Sequence, residues 1–252
     1  MEKEEQLFRK RVLELAELCF HRDMPSNTDF LNLNEQTIFQ SISGTLPPVR
    51  YVLAGGFPGS ERKVVCFLPS YEEELTDPPF ECLRISARNK KFSGELTHRD
   101  FLGAILGQGL DREKVGDILV RPGVCDVLVF RELCPFLLQN WDGAGRAKLK
   151  VEEIGLEEVE PPLVEVRTHR DTVSSPRLDA VMASGFSMGR GKAAGLISSG
   201  KVELNHRPCV KPDRAVEQGD VITCRGLGKC LLKEMGGVSK KGRIMLVLER
   251  YV

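Results

Sequence analysis

"GFSMGRGKAAGLISSGKVELN", Gly185–Asn205, decides how the C-terminal third of the chain is read. Gly189, Gly191 and Ala194 satisfy the dinucleotide spacing G-x-G-x-x-G/A, and Gly191-Lys192 resembles the end of a phosphate loop. A dinucleotide fingerprint needs a strand before the glycines, a helix after them, and an acid about 20 positions on. Here the preceding "RLDAVMAS" is an amphipathic helical pattern, with Leu178, Val181 and Met182 on one side. The glycines fall inside the next helical pattern, "MGRGKAAGLISS", and Glu203 comes too early to be the ribose acid. The phosphate-loop pattern fails too, with Phe186 at its first glycine and Ala193 at its Ser/Thr. The stretch therefore predicts two short helices and a strand rather than a nucleotide loop.

Capping rules set the expected limits. Ser175-Pro176 suits the start of the first helix and Gly185 its end; Ser187 and Gly200 do the same for the second. At 100° per residue Ala193, Ala194, Leu196 and Ile197 form the buried stripe, and Gly191, Gly195 and Ser198 lie opposite. Each helical glycine costs about 1 kcal/mol relative to alanine, so a bare face needs a compensating use. Close passage of a phosphate backbone is one, with Arg190, Lys192 and the free N–H groups of the helix start beside it. "KVEL", "GDVITC" and "KKGRIMLVLERYV" read as strands, and "NHRP" as a turn.

Charge points the same way. The 252 residues have zero formal net charge, but Ser174–Val252 holds 14 Lys+Arg against 7 Asp+Glu. A basic end on a neutral chain suits a polyanionic partner. The eight cysteines form no C-x-x-C pair and sit mostly in apolar runs, as small buried hydrophobes in a reducing compartment do. The charged start "MEKEEQLFRKR" is unlike a secretory signal, and no apolar run reaches the ~18 residues of a spanning helix. The expectation is a soluble cytoplasmic protein. The four histidines make no metal or triad spacing, and "HRD" at His98–Asp100 lacks the rest of a kinase loop.

Upstream, "EEQLFRKRVLELAELCF" reads as a helix, and Thr28 as the cap of a second, "DFLNLNEQTIFQSIS". "VRYVLAGG" and "ERKVVCFLP" follow as strands around "GGFPGS". After "LTDPPF" come strand "FECLRISA", a basic turn "ARNKKFSG", and a helix begun by Thr97 with Asp100 three residues on. Strands "GDILV" and "VCDVLVF", helix "ELCPFLLQNWDGAG" and strand "LVEVRTH" complete a β-α-β-β-α-β order, the ferredoxin-like pattern of many RNA-recognition domains. The aromatic motif with which such domains stack bases is missing. The predicted class is α+β: an N-terminal α/β region (1–77), a central RNA-recognition-like domain (78–170) and a C-terminal domain (174–252).

"RLDAVMASGFSMGRGKAAGLISSGKVELNHRPCVKPDRAVEQGDVIT" resembles the S-four domain, an RNA-binding module named for a small-subunit ribosomal protein. The family pattern has RLD, two short helices, Ser-Arg at the second helix start, G-x-V-x-V-N and G-D-x-I. The chain departs from it at Gly189, where the family has serine. "AGGFPGSERK", "ARNKKFSGELTHRDFLGAILGQGLDREKVGDILV", "RGLGK" and "KKGRIMLVLERY" extend the resemblance to the YlmH family of bacterial S-four proteins. That resemblance implies a non-enzymatic protein that docks on large-subunit ribosomal RNA and stabilises stalled subunits carrying peptidyl-tRNA. It implies RNA contacts by Arg177, Arg190, Lys192, Lys201, Asn205, Arg207, Lys211, Arg225 and Lys229. The partners are then ribosomal RNA and peptidyl-tRNA, with no cofactor, metal, membrane or small-molecule substrate, and the chain a monomer. Two other classes compete: an RNA-modifying enzyme or its remnant, and an adaptor linked to cell division.

Overall fold

The structure, a computed structural model, describes residues 2–88, 96–161, 165–239 and 242–251. The chain gathers into two units, residues 1–162 and 163–252. Most of the expected basic turn "ARNKKFSG" and the lysine pair opening "KKGRIMLVLERYV" lie outside the described residues.

In the first unit α1 (Glu2–Arg22) leads to β1 (Ser26–Asn27), α2 (Leu33–Ile42), β2 (Arg50–Ala54) and β3 (Val64–Leu68). The strands form an antiparallel sheet of order β1-β3-β2. Val12, Leu15, Ala16 and Cys19 of α1 and Phe39 of α2 pack against Val65 and Phe67. Thr28 does not cap α2. Asn32 does, accepting the Glu35 N–H at 3.0 Å while its own N–H reaches the Glu35 carboxylate at 2.8 Å, a reciprocal capping box. The Thr28 hydroxyl is committed to the sheet, accepting the Val65 N–H at 3.0 Å.

The same unit continues through β4 (Phe80–Ala87), α3 (His98–Leu106), β5 (Val115–Arg121), β6 (Val124–Phe130), α4 (Cys134–Asn140), β7 (Gly143–Ala144) and β8 (Ala147–Ile154). As expected, Thr97 precedes α3, donating its N–H and hydroxyl to the Asp100 carboxylate at 2.8 and 2.7 Å. The antiparallel order β5-β6-β4-β8-β7 contains the ferredoxin-like arrangement. Its closing strand is β8, not "LVEVRTH". Residues Val166–Val173 form β9, which pairs along its whole length with a C-terminal strand, Ile244–Tyr251. A period of two identifies a strand but not its sheet.

The two faces of this sheet have different covers. Leu83, Ile85, Val127 and Val129 lie under Phe101 and Ile105 of α3 and Leu137 of α4. On the other face Phe80, Cys82, Leu128 and Phe130 pack with Phe30, Val64 and Cys66 from the N-terminal region. The Phe30 ring stands 5.3 Å from Phe80 and 5.2 Å from Phe130. Gly116 permits this approach, since a Cβ there would come within 2.7 Å of the Phe30 ring and 2.8 Å of Leu128. On the same face the fully buried Asp126 carboxylate takes Arg84 at 2.7 and 2.8 Å, and Arg121 as well. Arg62 ties the layers: its guanidinium donates to the carbonyls of Val115 (2.9 Å) and Phe30 (2.6 Å). The Asp117 carboxylate answers by accepting the N–H groups of Glu61 and Arg62.

The second unit runs β9, α5 (Leu178–Gly185), α6 (Arg190–Ser198), β10 (Val202–Leu204), β11 (Arg207–Pro208), β12 (Val221–Cys224), β13 (Gly228–Val238) and β14 (Ile244–Tyr251). All six strands join one antiparallel sheet, β11-β10-β12-β13-β14-β9. Leu178, Val181, Met182, Ala193 and Ile197 of the helices bury against Val202, Ile222, Cys230, Leu232, Leu246 and Leu248. β13, the longest strand among the described residues, is not legible in the sequence pattern; its glycines and two register shifts interrupt the alternation.

Candidate nucleic-acid interface

α5 begins later than capping rules suggest. Ser175 is not its cap, because the chain from Pro176 to Leu178 is held in extended pairing. Val216 N–H donates to the Pro176 carbonyl, Leu178 N–H to that of Arg214, and Arg177 bridges Ala215. Arg177 becomes the N-cap. Ser187 does not cap α6 either. Its φ of +52° places it in the left-handed turn that ends α5, where Ser187 and Met188 donate to the carbonyls of Ser184 and Ala183. The cap of α6 is Gly189, with extended φ and ψ and no side chain to offer. The predicted bare face is present: Gly191, Gly195 and Ser198 are exposed, and a Cβ on either glycine would meet nothing within 4 Å.

Between the helix starts lies Asp179, nearly buried. Arg177 reaches its carboxylate through Nε and Nη2 at 3.2 Å each, and Arg190 at 3.1 Å. Burial alone pushes the Asp179 carboxyl up. The guanidiniums of Arg190 and Arg177 outweigh that and hold it below the usual carboxylate value. Two cations on one anion leave a net positive charge at the surface.

The remaining expected contacts are dispersed. Lys192 is exposed on α6, and Lys201 follows that helix, its carbonyl accepting the Arg225 N–H at 2.9 Å. Asn205 is committed to the fold. In a left-handed conformation it donates its amide to Asp220 at 2.7 Å and accepts the Val221 N–H at 2.9 Å. Arg207 and Lys211 are exposed, on the edge strand β11 and in the loop beyond it. Lys229 stands apart. It pairs in register with Thr223 between the buried Cys224 and Cys230 positions, so it occupies the sheet face away from the helices, 4.7 Å above the Tyr251 ring.

Sequence reasoning missed Arg214. The turn Lys211–Arg214 is fastened to the start of α5 through the Pro212 and Arg214 carbonyls, which accept the N–H groups of Asp179 and Leu178. Arg214 is exposed and, like Lys192, Lys201, Arg207, Lys211 and Arg225, has no carboxylate within ion-pair distance among the described residues. The signal was the string "KPDRAV" itself, but only the pairing with Pro176–Asp179 gives it a place. Outside this face burial pushes the thiols of Cys66, Cys82 and Cys134 up to about 12, which disfavours the nucleophilic thiolate at these three positions. Among the described residues no three His, Cys, Asp or Glu side chains gather as a metal site, and no helix is long and apolar enough to cross a membrane.

A helix pair with unpaired cations, carried on an antiparallel sheet, is the architecture of an S-four RNA-binding protein. Residues 176–222 match the family described as "S4 domain", and residues 80–158 the one described as "Putative RNA-binding domain in YlmH". The chain is 32% identical to the "Ribosome-associated protein quality control protein P2" of Bacillus subtilis (strain 168), over 98% of its own length and 96% of that protein's. The fold is also that of a solved structure, "Cell division protein ylmH from Streptococcus pneumoniae", with a TM-score of 0.51 and 23% identity over 62% of this chain and 95% of that one. The chain belongs to the YlmH family of S-four-domain proteins.

Proposed function

We propose that the protein docks on ribosomal RNA of the large subunit and stabilises stalled subunits that still carry peptidyl-tRNA, acting by binding and not by catalysis. The observation that carries this reading is the cluster at the starts of α5 and α6, where Arg177 and Arg190 share one acid and Lys192 has none among the described residues. Such cations engage phosphate and set position and affinity without reading sequence. Structured RNA is then recognised by shape. The name of the Bacillus subtilis relative supports the quality-control setting. In this reading Arg177, Arg190, Lys192, Lys201, Arg207, Lys211 and Arg225 meet the backbone, Asn205 shapes the turn that presents Arg207, and Lys229 lies on a separate face. The protein works in the cytoplasm as a monomer.

Sucrose-gradient sedimentation of the tagged full chain tests the proposal. The wild type is expected with large subunits, more so after translation is stalled, and an Arg190→Ala plus Lys192→Ala variant near the top of the gradient. A wild type that stays free of ribosomal fractions under both conditions overturns it.

A further inference from the structure

The geometry points to Asp179 as a positioning residue for RNA binding: a nearly buried acid within a basic face, whose work is to hold Arg177 and Arg190 as one phosphate-binding unit. This rests on the proposal that the α5–α6 face meets RNA, and adds how that face is assembled.

Asp179 is an unexpected residue for such a place. A carboxylate repels phosphate, and simple electrostatics would remove it from an anion-binding surface. Yet its side chain, 7% exposed, takes N–H groups from both arginines, whose side chains are 41% and 49% exposed. The two arginines come from different elements: Arg177 caps α5, and Arg190 opens α6 after a tight turn. Without an anion between them two like charges would separate, and each long side chain would regain its rotamer freedom. With Asp179 in place Arg177 is fixed through Nε and one amino group, and Arg190 through one amino-group hydrogen bond with its Nε at ion-pair distance, 3.1 Å. No protein acceptor takes the other amino group, Nη1, of either arginine among the described residues. Two fixed, outward donor groups are preorganised for a phosphate or two adjacent ones. The Asp179 backbone is anchored as well, its N–H donating to the Pro212 carbonyl at 2.9 Å. The carboxylate is therefore held by the fold, and the arginines are held by the carboxylate.

The test titrates the labelled full chain with salt-washed large ribosomal subunits at several KCl concentrations. Asp179→Asn makes the face more positive. Positioning predicts that it nevertheless weakens binding about tenfold and lowers the slope of log affinity against log salt by about 1, one phosphate contact. Stability alone would not move that slope. Binding as tight as wild type, or tighter, with an unchanged slope overturns the proposal. If Asp179→Asn does not fold, Arg177→Lys answers the same question, since it keeps the charge at an exposed site and loses the fork. A loss of several-fold is expected, and unchanged affinity overturns the idea. An Arg177→Ala plus Arg190→Ala variant separates the two levels. If it binds like wild type, the α5–α6 face does not meet RNA. If it binds weakly while Asp179→Asn binds normally, the face stands and the positioning role falls.

Discussion

Phe30, from the N-terminal region, lies over Phe80 of the central sheet with ring centroids 5.3 Å apart. Phe80 and Phe130 stand on β4 and β6, the two middle strands of the ferredoxin-like order, on the face left open by α3 and α4. RNA-recognition modules use that face, stacking bases on exposed aromatics. Here Phe80 is 1% exposed and Phe130 5%. The chain supplies its own stacking partner, so bases have no access to these rings.

From that burial, Phe30→Ala is predicted to destabilise the first unit by about 3–5 kcal/mol, the cost of an aromatic cavity. Below its melting transition its affinity for large subunits should stay within about twofold of wild type. Denaturant unfolding and subunit titration measure the two effects. A large affinity loss with normal stability would make this ring an RNA contact and reject the packed-face account.

The same face holds a stronger constraint. Asp126 is fully buried between Arg84 and Arg121. Removing one partner of a buried ion cluster leaves the rest uncompensated, at a cost of about 3–5 kcal/mol. Asp126→Ala should therefore unfold the first unit at markedly lower urea, with the transition of the second unit unmoved. A midpoint shift equivalent to less than about 1 kcal/mol would show that Arg84 and Arg121 find other acceptors.

Gly189 gives a prediction of opposite sign. It caps α6 with φ −66° and ψ 141°, a conformation any residue adopts, and a Cβ there would touch nothing within 4 Å. A serine could accept an N–H of the first turn and would narrow the unfolded ensemble. Gly189→Ser should stabilise the second unit by a few tenths of a kcal/mol. A higher thermal midpoint with unchanged subunit affinity is the expected result; a lower midpoint would mean that the hydroxyl finds no N–H.

Protonation of Asp179 should be visible in stability. Arg190 and Arg177 hold its carboxyl below the ordinary value, so the unfolded chain binds more protons in the interval between the two. The stabilisation is complete above the usual carboxylate range and is lost as pH falls through the lower, folded value. The difference in thermal midpoint between wild type and Asp179→Asn should thus be constant near neutrality and shrink in acid. A difference that widens in acid would contradict the ion pairing.

Local pattern revealed the helices of the second unit, because Leu178, Val181 and Met182 or Ala193 and Ile197 recur at helical spacing. It also revealed the basic character of their exposed side. Long-range pairing was hidden. Nothing in "VRTHRDTV" says that it joins β14 across some 80 residues rather than β4, since both options leave the same alternation. Capping preferences misled at Ser175 and Ser187 because other hydrogen bonds took the backbone that a cap would have used: long-range pairing with Arg214–Val216 at the first, and the local turn that ends α5 at the second. The family resemblance likewise implied an RNA contact by Asn205, whereas its amide closes a turn onto Asp220. Asp179 was passed over because an acid in a basic face looks like a spectator until both arginines are seen on it.

Position on the sheet separates two basic residues that sequence alone treated unequally. Arg214 went unnoticed, yet its carbonyl holds the start of α5 and its side chain is exposed beside the turn that carries Lys211. Lys229 was expected in the interface, but strand alternation turns it to the opposite face, over Tyr251. If the α5–α6 side meets the phosphates, Arg214→Ala should weaken large-subunit binding about three- to tenfold and reduce the salt slope by about 1. Lys229→Ala should change affinity by less than about twofold and leave the slope alone. The two variants have equal net charge, so a general electrostatic attraction would weaken both alike. Equal losses would mean that binding senses the charge of the whole unit and not one face of it. A loss confined to Lys229→Ala would move the interface to the far side of the sheet.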